Sequence, residues 1–192
     1  MDKKALIVYG TRYGATQSNS EEIAKVLQEH GLEVKVVNAK KENMKDISPY
    51  DLIIIGGGMQ MGKWPGVLDN FLNKFQRELA NKKVAIFSSS AGQAMVELEK
   101  NTEEIEKNMT YLAEKAAKYN LQPISMTILG GVWDFNKMNF LLRKTLASIK
   151  PKIEAAGFKE IQPGLYDTRD WHTIRTWAKE LVDKIGEREI SS

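Results

Sequence analysis

Apolar residues fall along this chain in two alternating rhythms. Short runs at residues 5–9, 33–37, 52–55, 84–87 and 124–129 have strand length and are rich in Val, Ile and Leu. Runs that are apolar throughout, such as Leu52, Ile53, Ile54 and Ile55, suit strands covered on both faces, as in a parallel sheet. The segments between them carry helical spacing. Ile23, Val26 and Leu27 mark a first helix that stops near His30 and Gly31, glycine being a favoured helix end. Val67, Leu68, Phe71, Leu72, Phe75 and Leu79 mark a second. Met95, Leu98, Ile105, Met109, Leu112, Ala116 and Tyr119 fit a longer one, which Asn101 and Thr102 can restart ahead of Glu103 and Glu104, Thr being a good cap. Trp171, Ile174, Trp177, Ala178, Leu181 and Ile185 give a final helix, with Asp170 placed to cap it.

Strand followed by helix, repeated, implies right-handed crossovers and an α/β, doubly wound sheet. No internal repeat, low-complexity stretch or linker divides residues 1–192, so one domain is expected, with residues 132–170 as an elaboration beyond a minimal five-strand unit. No apolar run approaches the ~18 residues of a membrane span, and the run at residues 5–9 is too short for a signal-peptide core, so a cytoplasmic location is expected.

Composition narrows the chemistry. The chain has no cysteine and only His30 and His172. Disulfides, thiol catalysis and cysteine-held iron–sulfur clusters are thereby excluded, and a metal site is not expected. Redox chemistry would need an organic cofactor. The net charge of +3 is too small to argue for nucleic acid.

In an open α/β sheet, ligands bind beyond the carboxyl ends of the strands. The first such end carries Thr11, Arg12, Tyr13, Gly14, Ala15 and Thr16. Its hydroxyls and N–H groups open a helix, where partial positive charge attracts a phosphate; a plain strand-to-helix turn with capping hydroxyls would look alike. It is neither a Walker loop nor a three-glycine dinucleotide fingerprint, and no acidic pair ends the first strand to hold Mg²⁺. The second end carries three glycines, Gly56 to Gly58, then Met59, Gln60, Met61, Gly62, Lys63, Trp64 and Pro65. These glycines would let backbone approach a flat ligand; the other reading is a turn whose Met and Trp fill a core edge. The third end carries Ser88, Ser89, Ser90, Ala91 and Gly92.

The loop at residues 11–16 resembles the phosphate loop of the flavodoxins, with Tyr13 where that family usually has a hydroxyl residue. The resemblance implies a flavodoxin-like five-stranded parallel sheet with helices on both faces, a bound FMN and electron transfer. It places the FMN phosphate at residues 11–16. It lays the flavin ring along Gly58, Met59, Gln60, Met61, Gly62 and Lys63, with Trp64 as a stacking or rim residue. Ser89, Ser90, Ala91 and Gly92 would meet the pyrimidine edge or ribityl chain. The chain lacks the tyrosine that many flavodoxins stack on the flavin at the third end, and Trp133 is the candidate replacement, core packing being the alternative. No residue stands out as a catalytic acid or base. The layout of the C-terminal third also resembles menaquinone-dependent protoporphyrinogen IX dehydrogenases: Gly130, Gly131, Val132, Trp133, then a helix with Met138, Leu141, Leu142, Leu146 and Ile149 on its apolar face, then Thr168, Asp170 and Trp171. The expected partners are therefore redox proteins, or a quinone if the chain is such an enzyme. Phe140 lies opposite that apolar face beside Lys137 and Lys144, so peripheral contact with a membrane is one use for it and an ordinary solvated face the other.

Overall fold

The computed structural model describes residues 3–60 and 62–186. The chain runs β1 (Lys4–Gly10), α1 (Ala15–Glu29), β2 (Glu33–Asn38), β3 (Leu52–Gly58), α2 (Val67–Lys74), α3 (Gln76–Leu79), β4 (Lys83–Ser90), α4 (Gln93–Leu98), α5 (Thr102–Lys118) and β5 (Ser125–Gly130). These five strands form one parallel sheet in the order β2-β1-β3-β4-β5. Strand order reverses at β1 and β3, so the loops after these strands diverge to opposite faces and leave a crevice between them.

Alternation along each strand splits the core into two layers. Leu6, Val8, Ile53, Ile55, Val84 and Ile86 face α2, α3 and α5. Ala5, Ile7, Leu52, Ile54, Ala85 and Phe87 face α1 and the last helix, α8 (Trp171–Gly186). Both faces of the central strands are dry, which is why their sequences are apolar throughout. Truncating one such residue, for instance Ile54→Ala, costs on the order of 2–5 kcal/mol.

Local boundaries follow side-chain chemistry. The helix expected over residues 67–79 breaks at Phe75 (φ −109°, ψ 16°), whose ring leaves the helical path and packs 5.1 Å from that of Phe71. Pro65 stands two residues before α2, and its carbonyl accepts from the Leu68 N–H at 3.1 Å. The long helix is interrupted before residue 102, where Lys100 turns the chain at φ 51°. Asn101, not Thr102, is the cap: its side-chain oxygen accepts from the Glu104 N–H at 3.1 Å. Asp170 accepts from the His172 N–H at 2.9 Å and from the Thr173 hydroxyl at 2.7 Å, capping α8.

The C-terminal elaboration has its own architecture. β6 (Val132–Asp134), β7 (Glu160–Gln162) and β8 (Leu165–Asp167) form an antiparallel sheet in the order β6-β8-β7. Between β6 and β7 lie α6 (Phe140–Leu146), a short 3-10 turn and α7 (Lys150–Ala155). Met95, Phe135, Met138, Ile153 and Tyr166 make a third apolar cluster beneath them, and Leu142, Leu146 and Ile149 pack against it. Leu141 departs from the expected face: like Phe140 it is 73% exposed. Met138 precedes α6 rather than lying on it, Asn139 being the cap, while Leu142 and Leu146, four positions apart, share a stripe off which residue 141 is rotated.

Candidate functional site

The carboxyl ends of β1, β3, β4 and β5 open on a cavity of about 330 Å³, a size typical of small-molecule sites. Its floor begins with Thr11, Arg12, Tyr13, Ala15 and Thr16. Gly14, at φ 100°, turns the chain into α1, and α1 starts without a side-chain cap and without an acid in its first turn. The first N–H groups of such a helix have no intrahelical acceptor. They meet the positive end of the helix dipole, which suits a phosphate. The Gly14 N–H is already used, donating to Thr11 Oγ1 at 2.9 Å, which folds the turn and presents the Thr11 side chain at the cavity wall. Thr16 is buried beside Gly58, where an added Cβ would come within 3.0 Å of Thr16 Oγ1.

The second loop contributes Gly58, Met59, Gln60 and Gly62. The Gln60 and Lys63 backbones exchange two hydrogen bonds of 3.1 Å, and Gly62 at φ 69° closes this tight turn. Two side chains clip it to the first loop. Arg12 Nη1 donates to the Gly58 and Lys63 carbonyls at 2.8 and 3.2 Å, and Gln60 Nε2 donates to Tyr13 Oη at 2.8 Å. Arg12 therefore braces a loop while remaining exposed, rather than standing over the helix start.

Ser89, Ser90, Ala91 and Gly92 form the third wall. This wall is fastened to the elaboration. The single proton of Thr168 Oγ1 can be given to the Ala91 carbonyl at 2.9 Å or the Gly131 carbonyl at 3.1 Å, and Trp133 Nε1 donates to the Ala91 carbonyl at 3.0 Å. Gly131 allows this approach, since an added Cβ would lie 2.7 Å from the Ala91 nitrogen. The Trp133 indole stacks on Phe135 (centroids 6.2 Å apart, planes 17° apart) and lines the cavity.

The family model described as "flavodoxin domain" matches residues 6–158. The chain belongs to the flavodoxin family. FMN binding comes with that membership. A short-chain flavodoxin associated with a bacterial microcompartment superposes with a TM-score of 0.59 at 12% identity, covering 95% of this chain and 99% of that one. Flavodoxin 2 of Bacillus cereus gives 0.53 at 19% identity over 94% and 99% of the two chains. At such identities these likenesses speak for the fold. Protoporphyrinogen IX dehydrogenase [quinone] of Escherichia coli is 27% identical over 85 residues, 44% of this chain and 47% of that protein. The chain thus spans about half the length of the curated relatives it matches.

The residues present fit an FMN. An uncapped helix start answers the phosphate, a cavity with apolar and aromatic walls answers the ring, and serine hydroxyls border the remainder.

Not every expected residue reaches the cavity. Met61 lies outside the described residues. Lys63 takes part only through its backbone. Trp64 belongs to the core rather than a flavin rim: it is 5% exposed, its Nε1 donates to Ser88 Oγ at 3.1 Å, and its ring occupies the space that a Cβ on Gly57 would need. Gly56 likewise makes room for Phe87. Of the three consecutive glycines only Gly58 borders the cavity; the other two accommodate the protein's own aromatic rings. Gly14 shapes the first turn without being part of the wall.

Sequence reasoning missed Val96, Glu104 and Asn108 on α4 and α5, and Met138, Leu142 and Leu146, all of which line the cavity. The spacing of Leu142 and Leu146 was a usable signal, because a stripe on a helix outside the main sheet needs something to cover. Asn19, buried in the middle of α1, gave a weaker one: a polar residue on the apolar face of a helix calls for a specific partner.

Proposed function

We propose that this chain is an FMN-carrying electron-transfer protein that uses the cavity at the ends of β1, β3, β4 and β5. The start of α1, with the Thr11 and Thr16 hydroxyls, holds the phosphate. The ring lies along Gly58, Met59, Gln60 and Gly62, with Trp133 taking the stacking place that the third loop leaves without a tyrosine. Ser89 and Ser90 meet the pyrimidine edge or the ribityl chain. Bound FMN supplies reversible one- and two-electron chemistry. The chain binds and orients it, and the apolar side chains Met138, Leu142 and Leu146 keep water from one side of the cavity. The elaboration completes this wall, so residues 1–192 act as one domain.

The observation that carries the proposal is the start of α1 opening uncapped on the cavity beside two threonines. The chain's electrons pass to redox partner proteins. The test is reconstitution with FMN, reduction by dithionite, and mixing with oxidised cytochrome c as a stand-in acceptor. Stoichiometric cytochrome reduction by the loaded protein supports the proposal. A protein that retains no flavin, or whose reduced form leaves cytochrome c unchanged, contradicts it.

A further inference from the structure

The outer side of α6 is not used by the flavin site. Phe140 and Leu141 stand side by side there, each 73% exposed, while Leu142 and Leu146 on the inner side wall the cavity. The charge around them has one sign. Between Asp134 and Glu154 the chain carries Lys137, Arg143, Lys144, Lys150 and Lys152 and no acidic residue. That segment holds +5 in a chain whose net charge is +3, so the remainder is at −2. The basic balance of the protein is thus concentrated in one place. Lys137 pairs with Asp134 at 3.0 Å and Lys150 with Glu160 at 3.7 Å. Among the described residues no ion pair engages Arg143, Lys144 or Lys152. Arg143 and Lys144 sit three and four positions after Phe140, so they neighbour it on the helix surface.

We propose that this face of α6 docks reversibly on an anionic lipid surface. Phe140 and Leu141 enter the boundary between headgroups and acyl chains, and Arg143 and Lys144 meet lipid phosphates. Apolar side chains flanked by cations on one helix suit an interface with both a fatty and an anionic layer. A soluble acidic protein would satisfy the cations but would need a matching apolar recess for the protruding pair; a bilayer does not. No helix among the described residues is long and apolar enough to cross a membrane, so attachment is peripheral. Two apolar side chains and a few cations give a weak, salt-sensitive association. Docking this way turns the α6 side of the flavin cavity toward the lipid.

The test is flotation of the FMN-loaded full chain with vesicles of phosphatidylcholine alone, or of equal parts phosphatidylcholine and phosphatidylglycerol. Binding is expected to the mixed vesicles only and to fall as salt is raised. The pair Phe140→Ser and Leu141→Ser lowers partitioning at least about tenfold, and the pair Arg143→Glu and Lys144→Glu does so by about tenfold or more. Flavin fluorescence, read on the same samples, keeps flavin retention separate from vesicle binding. The proposal is overturned if the wild-type chain ignores mixed vesicles at low salt, or if both double variants float like wild type. It is equally overturned if polyglutamate binds as well as the mixed vesicles and Phe140→Ser leaves both unchanged.

Discussion

Asn19 and Ser89 share a hydrogen bond whose direction is fixed by a third group. Asn19 Nδ2 lies 2.9 Å from Ser89 Oγ and 3.0 Å from the Gly130 carbonyl. A carbonyl can only accept, so the amide NH₂ must face it. Ser89 Oγ therefore accepts from Asn19, and its own proton is left to donate elsewhere. Because Ser89 lines the cavity, the buried amide of α1 sets a donor at the ligand while tying α1 to β4 and β5. Asn19 Oδ1 is buried without a partner, a cost accepted for this orientation.

Asn19→Leu removes both bonds. It is expected to lower stability by about 1–3 kcal/mol and to weaken FMN binding about tenfold. Ser89→Ala is expected to weaken FMN with a smaller effect on stability. Urea unfolding of the flavin-free chain and fluorescence titration with FMN separate the two effects.

Gly131→Ala is expected to destabilise more than an ordinary surface change, because its Cβ meets backbone: the Ala91 nitrogen at 2.7 Å and the Ser90 carbonyl carbon at 3.0 Å. Either the third loop or the start of β6 must move. A loss of about 1–3 kcal/mol in unfolding free energy is expected, together with weaker FMN binding. Gly66→Ala, where nothing lies within 4 Å of the new methyl, is the matched control and should change neither.

Arg12 distinguishes a brace from a phosphate ligand. Its guanidinium holds the Gly58 and Lys63 carbonyls. Arg12→Ala should therefore weaken FMN and riboflavin by the same factor, about three- to tenfold for lost hydrogen bonds at an exposed site. A loss confined to FMN would instead assign the charge to the phosphate.

All five strands and the doubly wound layout were legible in the sequence because both faces of the sheet are covered, and burial on both faces writes unbroken apolar runs. The three small strands of the elaboration were not. Glu160, Ile161 and Gln162 are all exposed, so β7 leaves no apolar alternation to read. The first loop was legible from its hydroxyls and glycine. The second left two readings open, and for Gly56, Gly57 and Trp64 the core reading holds: Gly56 makes room for Phe87 on the neighbouring strand and Gly57 for Trp64. A glycine records that something comes close without recording what. Asn19 was missed for a related reason: its partners are 70 and 111 residues away.

Asp69 and Tyr119 join α2 to the end of α5 and give the stability a pH signature. Tyr119 Oη donates to Asp69 Oδ1 at 2.5 Å, and Lys115 Nζ reaches the same oxygen at 2.6 Å. Burial works to raise the Asp69 carboxyl, but hydrogen bonds from Lys115 and Tyr119 outweigh it and hold the group below its ordinary range. Burial, then the bond to Asp69, pushes the Tyr119 phenol up to about 12. The Asp69 contribution is therefore complete above the unfolded carboxylate range near pH 4 and lost as pH falls below it. The Tyr119 contribution is complete below about pH 10 and lost as pH rises toward about 12. Tyr119→Phe should cost about 1–2 kcal/mol at neutral pH and flatten the alkaline limb of a stability–pH curve measured by urea unfolding.

The most direct measurement of the central claim is the ratio of riboflavin to FMN dissociation constants for the full chain, read by flavin fluorescence. The two ligands share the ring and the ribityl chain and differ only in the phosphate. If the start of α1 anchors that phosphate, riboflavin binds at least about 100-fold more weakly, as expected for the loss of two or more charge-assisted hydrogen bonds. Equal affinity for the two ligands would contradict the account.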